Sequence, residues 1–337
     1  MKRFLALLCA LLATLALAAC SATPAPTATA TATLEASATP TAAATATPAA
    51  TPSPEATLSA AVGISTTDFM GNTVTLDAVP QRIISLTPSN TETLFALGLG
   101  SKVVGVDAIS NYPAEVASIE KVGDFSGPNL EKIASLKPDL VLAGDKLQKE
   151  IIEKLQALGL KVAAVEGTTY AEVFDSITMI GTLTGAADQA KALTDDLKAK
   201  EKIVKEAVAA HPSSKLAYIA ISFGQYGDYS AGPGTFPYEM IQMCGARNVT
   251  EGLPAQWPQM TLEAIVKADP DVILVPHDAG DVKTFAATEG YKTLTASKKG
   301  QVYAFDADIC TRPGPRIVEG FRLYAQILCG VTISFDK

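Results

Sequence analysis

Residues 130–142 read LEKIASLKPDLVL, and residues 262–274 read LEAIVKADPDVIL. Each stretch starts with Leu-Glu, contains Pro-Asp and ends in a short apolar run, and the offset between them is 262 − 130 = 132 residues. This offset is too long for a solenoid repeat and close to the size of one α/β domain. The chain is therefore predicted to contain two lobes of related design.

The repeat places one glutamate at the same point of each lobe. Asn129 and Thr261 are favourable N-cap residues, so Glu131 and Glu263 fall at the second helical position. A carboxylate there faces unpaired N–H groups and the positive end of the helix dipole. Acidic residues are common in any first helical turn, so a single glutamate at this position would not indicate a function. Two matched copies favour a contact with a partner at two points.

The N-terminus has the pattern of a secretory signal. Lys2-Arg3 precedes an apolar run that ends in Leu17-Ala18-Ala19-Cys20, which is typical of a lipobox. The run is too short to remain as a spanning helix, so we predict a signal peptide over residues 1–19 and lipidation of the Cys20 thiol. The mature protein is then expected at the outer, extracytoplasmic or periplasmic, face of the cell membrane. A signal without lipidation is the alternative.

Residues 20–61 consist mostly of Ala, Thr, Pro and Ser. Such a segment buries too little apolar surface to offset the entropy of ordering, so it is predicted to be a disordered tether. The head that follows, residues 62–337, is long enough to form hydrophobic cores, and 48% of the residues in the whole chain are hydrophobic. The net charge of −8 argues against nucleic acid or anionic lipid as the partner.

Short apolar runs alternate with helical segments throughout the head. Strands are predicted at 82–86, 102–106, 140–143, 162–165, 216–221, 272–275 and 302–305. A turn at 87–90 is predicted to lead into a helix over 91–97. Short β-branched runs between helices are typical of parallel sheets covered on both faces. The predicted fold class is therefore α/β, with two Rossmann-like lobes.

Residues 187–211 are predicted to form one long rigid helix between the lobes 62–186 and 212–337, because Ala187 to Ala210 contains no Gly or Pro and His211-Pro212 ends the run. A single rigid helix differs from the flexible strands that permit wide hinge closure, so we expect a small opening motion. The ligand is expected between the lobes, near the C-terminal ends of the strands.

Several further motifs occur along residues 80–330. They are RIISLTPSNTE at 82–92, LG at 97–98, NYP at 111–113, NLE at 129–131, KPDL at 137–140, WPQ at 257–259, LE at 262–263 and PRI at 315–317. Together they resemble the substrate-binding proteins of the vitamin B12, ferric siderophore and haem ABC importers. The resemblance implies two lobes bridged by one helix, no enzymatic activity, and delivery of the ligand to a permease dimer with its ATPase. It also implies that Glu131 and Glu263 dock onto permease arginines.

The resemblance is strongest to the cobalamin-binding subgroup. Trp257 stands six residues before Glu263, as in that subgroup, and Asp308 and Arg312 fall in its cleft-lining segment. The subgroup's disulfide pair corresponds here to Cys244 and Cys329. The implied function is therefore capture of cobalamin or a related corrinoid, as a ligand rather than a bound cofactor, by a monomeric receptor. Haem or a ferric siderophore is the alternative ligand, and a surface lipoprotein without transport function is the remote alternative.

Aromatic residues in loops supply the other candidates for ligand binding. With the polar pair above, the full candidate set is Tyr112, Phe125, Phe223, Tyr226, Tyr229, Trp257, Asp308 and Arg312. Aromatic side chains in such loops often pack within their own lobe instead. Phe125 precedes Glu131 by the same six residues that separate Trp257 from Glu263. One ring from each lobe would then clamp a flat macrocycle.

Metal ligands and catalytic motifs are scarce. The two histidines are too few for a zinc-binding receptor, so no firm metal site is predicted. His277 is a candidate axial ligand to cobalt or haem iron, as are Tyr112 and Cys310. Cys310 has two other interpretations, a buried packing residue or a modification site. The chain contains no nucleophile elbow or phosphate-binding loop, so an enzyme is not predicted.

Overall fold

The computed structural model describes residues 63–124, 127–224, 227–277 and 281–335. The predicted signal peptide, Cys20 and the tether lie outside these residues, as do Phe125 and Tyr226. No helix of the described ranges is both long and apolar enough to cross a membrane.

The first lobe opens with an antiparallel hairpin that sequence analysis did not predict. Its strands are β1 (Ile64–Thr67) and β2 (Thr73–Leu76). The α/β part that follows consists of β3 (Ile83–Ser85), α1 (Pro88–Ala96), β4 (Val103–Val106), α2 (Leu130–Ser135), β5 (Leu140–Ala143), α3 (Lys149–Ala157), β6 (Val162–Ala164) and α4 (Tyr170–Thr184).

The long helix α5 (Ala187–Ala210) leads into the second lobe, with His211 at its C-cap. The second lobe consists of β7 (Leu216–Ile219), β8 (Asp228–Tyr229), α6 (Phe236–Met243), β9 (Arg247–Asn248), β10 (Gln259–Met260), α7 (Leu262–Ala268), β11 (Val272–Pro276), α8 (Val282–Ala287), α9 (Thr295–Lys298), β12 (Val302–Phe305), α10 (Ala307–Cys310) and α11 (Ile317–Cys329). The small antiparallel pair β8–β10 stands apart from the main sheet.

Each lobe contains a four-stranded parallel sheet, and the two sheets have the same topology. The strand order is β4-β3-β5-β6 in the first lobe and β9-β7-β11-β12 in the second. Numbered within each lobe, both orders are 2-1-3-4, so α2 and α7 occupy equivalent positions before the third strand. The predicted α/β class and the repeated lobe are confirmed.

The repeated Pro-Asp performs the same structural task in both lobes. Asp139 Oδ2 accepts hydrogen bonds from the backbone N–H groups of Gln81 and Arg82 at 2.8 and 2.9 Å, and Asp271 Oδ2 accepts one from Leu216 N at 2.8 Å. Each aspartate therefore ties the start of the third strand to the start of the first.

The helix predicted at 91–97 begins earlier, so that prediction is corrected at its N-terminus. Thr87 is the N-cap of α1, and its hydroxyl accepts a hydrogen bond from Asn90 N at 3.4 Å. Pro88 occupies the first turn, where its fixed φ fits and its missing N–H is not needed. The expected turn is thus the first turn of the helix.

Alternate faces of the two sheets enter different cores. In β5, Leu140 and Leu142 belong to a core shared by both lobes, whereas Val141 packs into a core confined to the first lobe. In β11, Leu274 joins the shared core and Ile273 a core confined to the second lobe. The shared core also contains apolar residues of α4, α5, α6 and α11, so the lobes are joined through packed helices as well as through α5.

Candidate functional site

Loops that follow the parallel strands of both sheets meet in a cleft. It contains a cavity of about 160 Å³. The described residues that line this cavity are Asp145, Leu147, Glu166, Gly167, Thr168, Phe236, Trp257, Thr311 and Pro313. The first five come from the first lobe, and the others come from the second. Trp257 is half-buried and also packs against the shared core, so one side of its ring system is held by the protein.

Glu166 follows β6 and is one of the first-lobe residues that line this cavity, a set called the cleft floor below: Asp145, Leu147, Glu166, Gly167 and Thr168. The hydroxyl of Ser89, in the first turn of α1, donates a hydrogen bond to Glu166 Oε1. Removal from water raises the pKa of Glu166 to about 7, and the nearby carboxylates of Asp145 and Asp107 act in the same direction. The hydrogen bonds from Ser89 and Thr87 oppose this shift without cancelling it.

A network of ion pairs joins the two lobes beside the cavity. Glu92 of α1 is buried, and Arg316 binds both of its carboxylate oxygens, Nε to Oε2 at 2.8 Å and Nη2 to Oε1 at 2.6 Å. Arg312 Nη1 lies 3.1 Å from Glu92 Oε1. Such bidentate, charge-assisted contacts are geometrically specific, so this network fixes how the segment after β12 sits on α1.

The outer part of the network contains the polar residues expected to orient a ligand. Arg312 Nη2 lies 2.6 Å from Asp308 Oδ1, and Arg312 Nη1 donates to Asn111 Oδ1 at 2.7 Å. Asn111 in turn donates to Asp308 Oδ2 at 2.9 Å. Asp308 and Arg312 are not among the described residues that line the 160 Å³ cavity, and both contact the first lobe, so their role in ligand binding stays a prediction.

Of the predicted aromatic residues that the structure describes, Trp257 alone lines the 160 Å³ cavity. Tyr112 is 49% exposed, and the Arg316 guanidinium carbon lies 4.3 Å from its ring centroid. Tyr229 is 38% exposed, and its hydroxyl donates to Gln259 at 3.5 Å. Phe223 instead packs edge-on against Phe285, with ring centroids 4.9 Å apart, within the second lobe. Phe125 and Tyr226 lie outside the described residues, so the proposed pair of clamping rings stays a prediction.

Both predicted docking glutamates occupy the expected helical position. Glu131 and Glu263 are exposed second residues of α2 and α7. The side chains of Asn129 and Thr261 cap the helices by accepting from Lys132 N at 2.9 Å and Ala264 N at 3.2 Å. The two carboxylates therefore project from equivalent helix starts, one on each lobe.

Cys244 and Cys329 lie in contact but are free thiols, so the predicted disulfide is not formed in this structure. Cys329 Sγ donates to the carbonyl oxygen of Cys244 at 3.4 Å. Cys244 caps the C-terminus of α6, and Cys329 is the last residue of α11. The pair is thus adjacent in space although 85 residues apart.

The candidate metal ligands do not come together. Cys310 is fully buried in the shared core, and burial raises the pKa of its thiol, so it is a packing residue rather than a ligand facing the cleft. His277 is exposed, and its Nδ1 lies 3.3 Å from the carbonyl oxygen of Phe305. The described ranges contain no group of three or more His, Cys, Asp or Glu side chains that could hold a metal ion.

Several residues of the cleft were not predicted from the sequence. Glu92 lies inside the motif at 82–92. The sequence signal that could have identified it is its position one helical turn after Ser89. Glu166 lies two residues after Ala164, the last residue of the buried strand β6, at the strand end where ligands bind in such sheets. The position of the Glu166 side chain depends on the hydrogen bond from Ser89, which is 77 residues distant in sequence.

A larger groove, about 710 Å³, lies elsewhere, along α4, α5 and α6. Its described lining includes Phe174, Lys198, Glu201, Lys205 and Met243. The groove lies against helices rather than at strand ends, so it is not the expected ligand site of a parallel sheet.

Comparison with known proteins gives consistent matches. The family model described as periplasmic binding protein matches residues 83–309. The chain is 38% identical over 268 residues to the uncharacterized ABC transporter substrate-binding lipoprotein YvrC of Bacillus subtilis (strain 168), which covers 78% of this chain and 84% of that protein. It is 30% identical over 274 residues to the vitamin B12-binding protein of Photorhabdus laumondii, which covers 80% of this chain and 95% of that protein.

A solved structure supports the same assignment of the fold. The periplasmic heme-binding protein BhuT, in complex with two hemes, matches with a TM-score of 0.67 and 26% identity. The match covers 74% of this chain and 98% of that chain.

Proposed function

Because the chain belongs to the periplasmic binding protein family, we propose that it captures cobalamin or a related corrinoid and delivers it to an ABC importer. Members of this family bind solutes outside the cytoplasm and work with a permease and an ATPase. The narrower assignment to corrinoids is supported by the 30% identity to a vitamin B12-binding protein over 95% of its length.

The observation that carries the proposal is the position of Trp257. This side chain lines the cavity between the lobes, together with Phe236 of the second lobe and with Leu147 and Glu166 of the first. A flat macrocycle gains most of its affinity from apolar area and ring contacts, and a few polar groups then orient it. The 160 Å³ cavity is smaller than a corrinoid, so the lobes must move apart at this edge when the ligand enters.

Two exposed glutamates, Glu131 and Glu263, support a two-point contact with a permease dimer. A two-fold partner presents the same surface twice, and the repeated lobes present the same acid twice. Lipidation of Cys20 would keep the receptor at the outer face of the cell membrane, near that partner. One relative is named a lipoprotein. The tether at 20–61 would let the head turn toward the permease.

Haem capture is the second candidate function. Tyr112 is exposed beside the cleft with Arg316 against its ring, and tyrosine oxygen is a ligand of haem iron. BhuT, which matches in fold, is named a heme-binding protein. Ferric siderophores are a related class that the same fold would accept.

The test uses the chain with Cys20→Ser, produced without residues 1–19, so that it carries neither the predicted signal peptide nor the lipidation site. The purified protein is mixed with cyanocobalamin or haem and passed through a desalting column, and the visible spectrum of the protein fraction is recorded. Near-equimolar corrinoid in that fraction is the expected result. Retention of haem alone would favour the second candidate, and retention of neither would contradict both.

A variant of Trp257 tests the observation directly. Trp257→Ala removes the only indole, so we expect cyanocobalamin affinity to fall at least about tenfold, measured by calorimetry. Leu158→Ala, which truncates an exposed side chain at the end of α3, is the matched control and should bind like the unaltered protein. Equal affinity of both variants would contradict the role of Trp257.

A further inference from the structure

Glu166 stands out among the cleft residues because it is an acid without an assigned role. It lines the 160 Å³ cavity between the lobes and also a neighbouring cavity of about 270 Å³. The residue is only partly buried, and it borders both cavities. It is therefore placed to contact a ligand that enters the cleft.

The local backbone makes room for this carboxylate. Gly144 follows β5, and a Cβ atom there would lie 2.9 Å from Glu166 Oε2 and 3.1 Å from the Thr87 methyl carbon. Any larger residue would have to displace the Glu166 side chain. Ser89 holds the other oxygen through its hydroxyl. The carboxyl group thus has a defined place at the cleft floor.

The charges around Glu166 are mostly negative. Within the described lining of the smaller cavity, the charged side chains are Asp145 and Glu166, and Asp107 contributes a further negative charge from the loop after β4. Lys146 and Glu172 line the neighbouring cavity, where the Glu172 carboxylate accepts hydrogen bonds from the backbone N–H groups of Thr168 and Thr169 at 2.8 and 2.9 Å. The two arginines of the cleft are paired with Glu92 and Asp308. The cleft floor is therefore a poor place for a ligand carboxylate.

We propose that Glu166 determines the charge preference of the cleft, accepting a hydrogen bond from an uncharged amide of the ligand and opposing a carboxylate at the same position. This inference rests on the proposed corrinoid function, since corrinoids carry amide side chains on the macrocycle edge and haem carries carboxylates. Glu166 acts as a specificity-determining residue. Its pKa of about 7 means that it changes charge in the physiological range, so the discrimination depends on pH.

The test compares cyanocobalamin with its b-, d- and e-monocarboxylic acids, in each of which one propionamide is replaced by a carboxylate. Affinities are measured by calorimetry at pH 6 and pH 8 for the Cys20→Ser protein and for the same protein with Glu166→Gln. The ligand carboxylate is ionised at both pH values, so a change in discrimination between them reports on the protein. Glu206→Gln, which alters an exposed acid on α5, is the matched control.

We expect at least one of the three acids to bind about tenfold or more weakly than cyanocobalamin at pH 8. This deficit should shrink by up to about tenfold at pH 6, where Glu166 is mostly protonated, and should be largely lost in Glu166→Gln. Glu206→Gln should behave like the parent protein at both pH values.

Two results would overturn the inference while leaving the corrinoid function intact. In the first, all three acids bind as well as cyanocobalamin at both pH values. In the second, a deficit is seen but is the same in Glu166→Gln as in the parent. Failure of the parent protein to bind cyanocobalamin would instead overturn the proposed function, and this inference with it.

Discussion

At Glu166, burial ties the stability of the folded protein to pH. The pKa is raised from 4.5 to about 7, so the folded state binds a proton more tightly than the unfolded state does. The stabilisation from this tighter binding is complete below pH 4.5 and is lost as the pH rises through 7. A pKa shift of this size changes the free energy of unfolding by at most about 3 kcal/mol between low pH, where Glu166 is protonated in both states, and high pH, where it is ionised in both.

We therefore expect Glu166→Gln to be more stable than the parent at pH 8, by up to about 3 kcal/mol, because it removes the ionised carboxylate. The two proteins should differ much less at pH 5. Urea denaturation at both pH values measures the difference, with Glu206→Gln as the control. A stability change that is equal at pH 5 and pH 8 would show that the ionisation of Glu166 is not its cause.

The starts of helices α2 and α7 carry the proposed permease contact. Charge reversal of both residues, Glu131→Lys with Glu263→Lys, should abolish corrinoid uptake into cells and leave cyanocobalamin affinity unchanged, because both side chains are exposed. Glu150→Lys is the matched control, since Glu150 is an exposed acid in the first turn of α3. Normal uptake by the double variant, or loss of uptake in the control, would contradict docking through α2 and α7.

The ends of helices α6 and α11 meet at Cys244 and Cys329. Both are free thiols here, and their contact fits the disulfide implied by the family resemblance. In an oxidising compartment we expect the bond to form. Thiol titration of the unfolded, unreduced Cys20→Ser protein without residues 1–19 should then detect Cys310 alone, whereas reduction should reveal all three remaining cysteines. Three thiols before reduction would contradict the bond.

Reduction of that bond should lower the free energy of unfolding by about 2–4 kcal/mol, because a closed loop restricts the unfolded chain. The Cys310→Ser variant isolates this effect, since it leaves only the paired residues. Unfolding curves with and without reductant measure the loss.

On the scale of the whole molecule, the two lobes are held together by a shared apolar core and by the Glu92 network. The Glu92 side chain is 3% exposed and faces two arginines, Arg312 and Arg316. Glu92→Gln leaves both guanidinium groups without their buried partner, which should lower the free energy of unfolding by about 3 kcal/mol or more. Hydrogen exchange in α1 and in residues 306–316 should also become faster.

Asp308→Asn is the matched control for this prediction. Asp308 also pairs with Arg312, but its side chain is 33% exposed, so its loss should cost no more than about 1 kcal/mol. Denaturation of both variants, with hydrogen exchange read by mass spectrometry, checks the comparison. If the two variants lose the same stability, the buried pair is not the main polar contact between the lobes.

The sequence by itself determined the α/β class, the two related lobes, the long helix and the position of both first-turn glutamates. These features depend on short-range patterns, such as the N-caps Asn129 and Thr261 and the uninterrupted run of Ala187–Ala210. The repeat could be read because each Pro-Asp ties the same two strands together. Such signals lie within a few residues of the elements that they specify.

Only the tertiary structure decided which side chains form the cleft. Glu92 and Arg316 are 224 residues apart in sequence, and Ser89 and Glu166 are 77 apart, so no local pattern pairs them. Cys310 lies next to cleft residues in sequence but points into the shared core, and Phe223 packs against Phe285 instead of facing the cleft. The direction and burial of these side chains depend on how the two sheets pack on the helices between them. Charged and aromatic side chains acquire their partners only when the lobes pack together.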